Sequence, residues 1–102
     1  MKKIINGKKY DTKTSRKVAA AYANCSPRDF AYWEQKLYIK RTGEYFLYCM
    51  GGPASQYAVR RGDNSWEGGS LFIPLTEAEA KIWAEEHLDG DEFEQIFGEV
   101  EE

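Results

Sequence analysis

Cysteine and histidine are scarce in this chain: Cys25, Cys49 and a single His87. Three such side chains cannot complete a four-ligand zinc site, and two cysteines do not make the disulfide framework of a small secreted domain. Both are read as reduced thiols. Long apolar runs are absent, so nothing approaches the roughly 18 residues of a membrane-spanning helix. The basic start Met1-Lys2-Lys3 leads only into Ile4-Ile5 before Asn6-Gly7, so no signal peptide is expected and the protein is assigned to the cytoplasm. The glycine pairs Gly51-Gly52 and Gly68-Gly69 lack the GxGxxG or GxxxxGK[ST] context of a phosphate cradle, and no segment follows the Asp-x-Asp-x-Asp-Gly calcium pattern. No cofactor and no metal is expected.

What is present is aromatic and charged. Of 102 residues 42% are hydrophobic and 15% aromatic, enough to close one core, and the length fits one domain over residues 1–102. The net charge of −3 hides a division. Residues 1–61 hold 13 of the 14 Lys+Arg against the acids Asp11, Asp29, Glu34 and Glu44, for a net +9. Residues 62–102 hold the other 13 acids against Lys81 alone, for a net −12. Such asymmetry means either neutralisation within the fold or two faces that meet different partners.

The patterning predicts an α+β domain with a mostly antiparallel sheet, in the order β-β-α-β-β-β-α-α. Asn6-Gly7 between apolar residues predicts a type I′ hairpin over residues 4–10. Val18, Ala21 and Tyr22 within an alanine-rich run predict a helix over about 12–23, capped by Asp11 and ended by Pro27. From Phe30 to Arg41 an apolar set (Trp33, Leu37, Ile39, with Gln35) alternates with Tyr32, Glu34, Lys36, Tyr38 and Lys40, which predicts a half-buried strand. After the Thr42-Gly43 turn, Glu44 to Met50 is apolar or aromatic on both faces, the mark of a central strand. Residues 54–70 are left open, and Leu71-Phe72-Ile73 is the last strand. Two short acidic helices close the chain. The first opens on the capping box Thr76-Glu77-Ala78-Glu79 and ends at Gly90; the second is capped by Asp91 and buries Phe93, Ile96, Phe97 and Val100.

The chemistry-bearing residues are sparse. An enzyme built on Cys49 and His87 would need an orienting carboxylate, and the spacing of the residues does not supply one. Cys49 reads as core filling, and His87 shares a helical face with Trp83 and Ala84. The chain is read as non-enzymatic. Two surfaces remain. The acidic face places Glu77, Glu85, Glu86, Asp89, Asp91 and Glu92 on a rigid scaffold, where carboxylates can occupy a groove that otherwise takes a nucleic-acid backbone. The basic alternative sets Lys36, Tyr38, Lys40 and Arg41 with Arg60 and Arg61, cations to track phosphates and tyrosine to stack on bases. The aromatics Trp33, Tyr38, Tyr45 and Tyr57, read as exposed, allow a homodimer.

Three stretches carry a resemblance: Lys3-Ile4-Ile5-Asn6-Gly7-Lys8-Lys9-Tyr10-Asp11-Thr12; Arg41-Thr42-Gly43-Glu44-Tyr45-Phe46-Leu47-Tyr48 with Gly51-Gly52-Pro53; and Trp83-Ala84-Glu85-Glu86-His87-Leu88 with Phe97-Gly98-Glu99. Over nearly its whole length the chain resembles short accessory proteins of phages, plasmids and conjugative elements of Gram-positive bacteria, some of which sit beside or among anti-CRISPR genes. The resemblance implies an anti-CRISPR or other anti-defence inhibitor, whose partner would be a CRISPR effector nuclease or a similar protein with a basic groove. It transfers no catalytic residue. The alternative is a small nucleic-acid-binding regulator working through the basic residues.

Overall fold

A computed structural model describes all residues 1–102. Ten elements follow one another: β1 Lys2–Ile5, β2 Lys8–Asp11, β3 Arg16–Tyr22, β4 Trp33–Ile39, β5 Tyr45–Gly51, β6 Val59–Arg60, β7 Trp66–Glu67, β8 Gly69–Leu75, α1 Glu77–His87 and α2 Gly90–Phe97. Every strand pairing is antiparallel, and the class is α+β as the patterning predicts. The main sheet has the order β3-β4-β5-β8, with β1-β2 and β6-β7 as separate hairpins.

Alternation along β5 builds three layers. Tyr45, Leu47 and Cys49 face α1 and α2 and join Leu37, Ala80, Trp83 and Ala84 in one core. Phe46 and Tyr48 face the other way and join Tyr10 and Phe72 in a second. Side chains two apart on a strand share a face, so an all-apolar strand serves two cores. The β1-β2 hairpin covers the second core through Tyr10, whose ring meets Phe46 edge-on at 5.5 Å, while Tyr38 stacks on the same Phe46 at 5.2 Å. Asn6 (φ 51°) and Gly7 (φ 78°) supply the left-handed positions the hairpin turn needs.

The segment read as a helix, residues 12–23, is instead a turn followed by the edge strand β3. Asp11 accepts from the Lys13 amide at 2.9 Å, which makes a turn and not a cap. The stretch between Ser15 and the turn at Asn24 is too short for a stable isolated helix, and pairing with β4 supplies what propensity does not. A bulge between Lys17 and Ala19 breaks the alternation and lets Val18 and Ala19 both pack against the helix-side core, next to Ala21. Small alanines on this edge leave room for the helices above it.

At the C-terminus the capping box of α1 is present, with Glu79 N donating to Thr76 Oγ1 at 3.1 Å and Thr76 N to Glu79 Oε1 at 2.8 Å. The next junction differs from expectation by two residues. Leu88 ends α1 in extended backbone, and Asp89, not Asp91, caps α2: its carboxylate accepts from Glu92 N at 2.8 Å. Gly90 is the first residue of α2 and has no terminating role. Asp-x-x-Glu recurs in two registers here, Asp89 with Glu92 and Asp91 with Glu94, and the earlier one wins because it leaves Phe93 and Phe97 on the buried side. Val100 lies past the helix and is exposed. Residues 54–70 contain the short β6-β7 hairpin, and Gly52 is required where the chain enters it: a Cβ there would lie 2.5 Å from the Phe30 carbonyl oxygen.

A polar chain ties α1 to the sheet. Trp83 Nε1 donates to Gln35 Oε1 at 2.8 Å, and Gln35 Nε2 donates to the Tyr57 hydroxyl at 2.5 Å. Burial, with the Cys49 thiol adding to it, pushes the Tyr57 phenol up to about 12, while the bond from Gln35 opposes the shift. The native state therefore holds this proton longer than the unfolded chain, so stability is full below about pH 10 and falls as pH rises toward 12. Unfolding by urea between pH 9 and 12 should show that decline in the wild type and a shallower one in Tyr57→Phe. Phe46, fully buried and ringed by Tyr10, Tyr38 and Phe72, should lose about 3–5 kcal/mol of stability on Phe46→Ala, read from denaturant midpoints at neutral pH.

Candidate functional site

The helical layer carries the acidic face. Glu77, Glu85, Glu86, Asp89, Asp91 and Glu92 are all exposed, as expected, but they are not equivalent. Asp89 and Glu92 are held in the capping box of α2, and Glu77 pairs with Lys81 one turn on at 3.2 Å. Glu85, Glu86 and Asp91 have no cation within ion-pair distance. Glu85 also borders a 480 Å³ groove between α1, α2 and the C-terminal tail, floored by Leu88, Phe93 and Val100. The tail is fixed there by Val100 N donating to Glu94 Oε2 at 2.9 Å.

The basic residues named from the sequence fall in separate places. Lys36, Tyr38 and Lys40 share the hairpin-side face of β4, as the alternation predicts, but each is engaged. Lys36 lies 3.6 Å from Glu34, Tyr38 stacks on Phe46, and Lys40 sits 3.7 Å above the Tyr10 ring with Glu44 at 3.5 Å. Arg41 follows in the Thr42-Gly43 turn and has no carboxylate partner. Arg60 and Arg61 lie at the opposite end of the sheet, in the β6-β7 hairpin next to Gly69, about 20 Å away by strand rise. Arg60 donates to the carbonyls of Gly62 and Asp63, and Arg61 pairs with Glu67 at 2.6 Å.

The sequence reading missed a second basic grouping. Lys8 and Lys9 of β2, Arg16 at the start of β3, and Lys40 with Arg41 meet around the Thr42-Gly43 turn. Only the turn residues carried a signal, because three of the five come from segments read as a bare hairpin and as a helix. At its centre Glu44 accepts from Lys8 Nζ at 2.9 Å and from Thr42 Oγ1 at 3.0 Å. These bonds, Lys8's first, hold the Glu44 carboxyl below the ordinary range and raise the Lys8 ammonium.

The two charged faces do not neutralise each other. None of the five ion pairs joins the helical layer to the strands β1–β4. Acidic helices lie on one side of the main sheet and the basic hairpin on the other. The remaining candidates are placed as follows. Cys49 is fully buried and desolvation raises its thiol, so it stays protonated at neutral pH. Cys25 is exposed. His87 is exposed at the end of α1, its ring 4.9 Å from that of Trp83 and 6.4 Å from that of Trp33. Of the aromatics read as exposed, Tyr45 is buried against Phe97, because odd positions of β5 face the helices, and Trp33, Tyr38 and Tyr57 are half-buried against the two cores. The outward aromatics are Tyr22, Phe30 and Trp66. No helix is long and apolar enough to cross a membrane.

Proton titration by NMR should find Glu44 ionising below the ordinary glutamate range, and Lys8→Ala should move it upward. Because the folded-state value is depressed, the contribution of this pair is present above the ordinary carboxylate range and is lost as pH falls through it. Comparisons with protein-family models, curated proteins and solved structures give no match.

Proposed function

We propose that this protein is a non-enzymatic inhibitor of a nucleic-acid-processing complex, an anti-CRISPR or related anti-defence factor, which docks its acidic helical layer into the partner's basic groove. The observation that carries the reading is the free state of Glu85, Glu86 and Asp91 on helices anchored to the sheet by Trp83, Phe93 and Phe97. A carboxylate already paired within its own fold has little left to offer a lysine, whereas an unpaired one on a fixed helix retains its field for a partner. The resemblance to mobile-element accessory proteins points the same way. Against the alternative, a nucleic-acid regulator using Lys36, Tyr38, Lys40, Arg41, Arg60 and Arg61, stands the division of those residues between two ends of the sheet.

The test follows from the caps. Asp89 must be spared, since its loss uncaps α2 at a cost of about 1 kcal/mol. Lysine at Glu85, Glu86 and Asp91 reverses three charges and leaves both capping boxes intact. DNA cleavage by a purified RNA-guided effector nuclease from a Gram-positive host should be inhibited by the wild type, and the triple variant should lose at least about tenfold in inhibitory potency. Equal potency of the triple variant, with unchanged circular dichroism, would reject the acidic-face mechanism.

A further inference from the structure

We propose that the cleft between β2, the turn at residues 12–15 and the Thr42-Gly43 turn is a binding site for the phosphodiester backbone of a nucleic acid, on the opposite side of the sheet from the acidic helices. The cleft encloses about 350 Å³ and is lined by no hydrophobic residue, which separates it from a pocket for an apolar ligand. Its inner wall is preset. Glu44 engages Lys8 and Lys40, and Lys40 is fixed over Tyr10, so the two lysines are held in place with one carboxylate between them.

Its outer wall is uncommitted. Lys9 and Arg41 have no carboxylate within 4.0 Å, and Arg16, at the sheet edge in an adjoining cavity of about 300 Å³ shared with Lys40 and Arg41, has none either, although it also borders Gln95 and Ile96 of α2. The backbone amides of Thr14, Ser15, Arg41 and Thr42 make no hydrogen bond within the protein, and the hydroxyls of Thr14 and Ser15 are also free. Cations with unpaired amide and hydroxyl donors are the groups that receive phosphate oxygens. One phosphate would use only part of this lining. Two adjoining cavities with five cations and one carboxylate suit successive phosphates of a chain that runs from the hairpin side to the β3 edge of the sheet.

The site uses a different residue set from the acidic face and stands or falls independently of it. Binding of a fluorescent 20-nucleotide single strand and of the corresponding duplex should be measured by anisotropy from 20 to 200 mM salt, with inorganic phosphate as a competitor. Amide shifts of the protein should be followed in parallel. The expected result is a steep fall in affinity with salt, shifts at Thr14, Ser15, Arg41 and Thr42, and at least tenfold weaker binding by K9A/R41A. That double variant should also show a salt slope smaller by about 2, one per lost phosphate contact. R60A should bind as the wild type does. Three outcomes would overturn the proposal: no oligonucleotide binding at 20 mM salt, undiminished binding by K9A/R41A, or inorganic phosphate displacing the oligonucleotide at equal phosphate concentration. The last result would make the cleft a site for a single anion.

Discussion

The two-sided burial of β5 is the constraint on which the rest of the molecule depends. Five consecutive buried side chains, Tyr45 to Cys49, cannot be covered by one layer. Water must be kept from both faces of the strand, so the sheet requires a helical cover on one side and a hairpin cover on the other. Each cover is anchored by large rings, Trp83 and Phe97 above, Tyr10 below. Because apolar burial is the main favourable term in folding a domain of this size, the chain has little freedom to rearrange the layers without exposing one of the two cores.

That architecture also sorts charge. The helical cover comes from the acidic end of the sequence and the hairpin from the basic end, so opposite fields are held apart by the thickness of a sheet. No ion pair crosses from the helical layer to the hairpin: Lys8–Glu44 ties the hairpin to the sheet, and Glu77–Lys81 lies along α1. A compact domain with a small net charge can in this way present a strongly negative surface and a strongly positive one, each available to a different chemical class of partner.

Much of this was legible in the residues. The Asn-Gly turn, the alternation of β4, the two-faced β5 and the Thr76 capping box each have a local cause, and each appears where the pattern placed it. The alanine run of β3 misled because helix propensity is a weak term in so short a segment, where pairing with β4 and packing under α2 decide. The cap of α2 shifted because two overlapping Asp-x-x-Glu registers satisfy local rules equally and only the placement of Phe93 and Phe97 separates them. For the charged faces, the sequence showed which residues carry charge but not which of them meet across the fold. The Glu77–Lys81 pair and the Asp89 cap follow local spacings that the residues already carry, whereas the convergence of Lys9, Arg16 and Arg41 is a fact of three-dimensional neighbourhood.

The β1-β2 hairpin is a separate two-stranded sheet, and no backbone hydrogen bond joins it to the main sheet. Tyr10 and the Lys8–Glu44 pair hold it down. A unit fastened by side chains alone can lift away while the sheet beneath stays folded, so its local stability is set by a few contacts and not by the global unfolding free energy. Any anion that bridges Lys9 of the hairpin to Arg41 of the sheet binds the seated form only, and by mass action would clamp the hairpin over the second core. The protection of Phe46 from solvent would then rise with the occupancy of a cleft whose lining residues are not its own immediate ring neighbours.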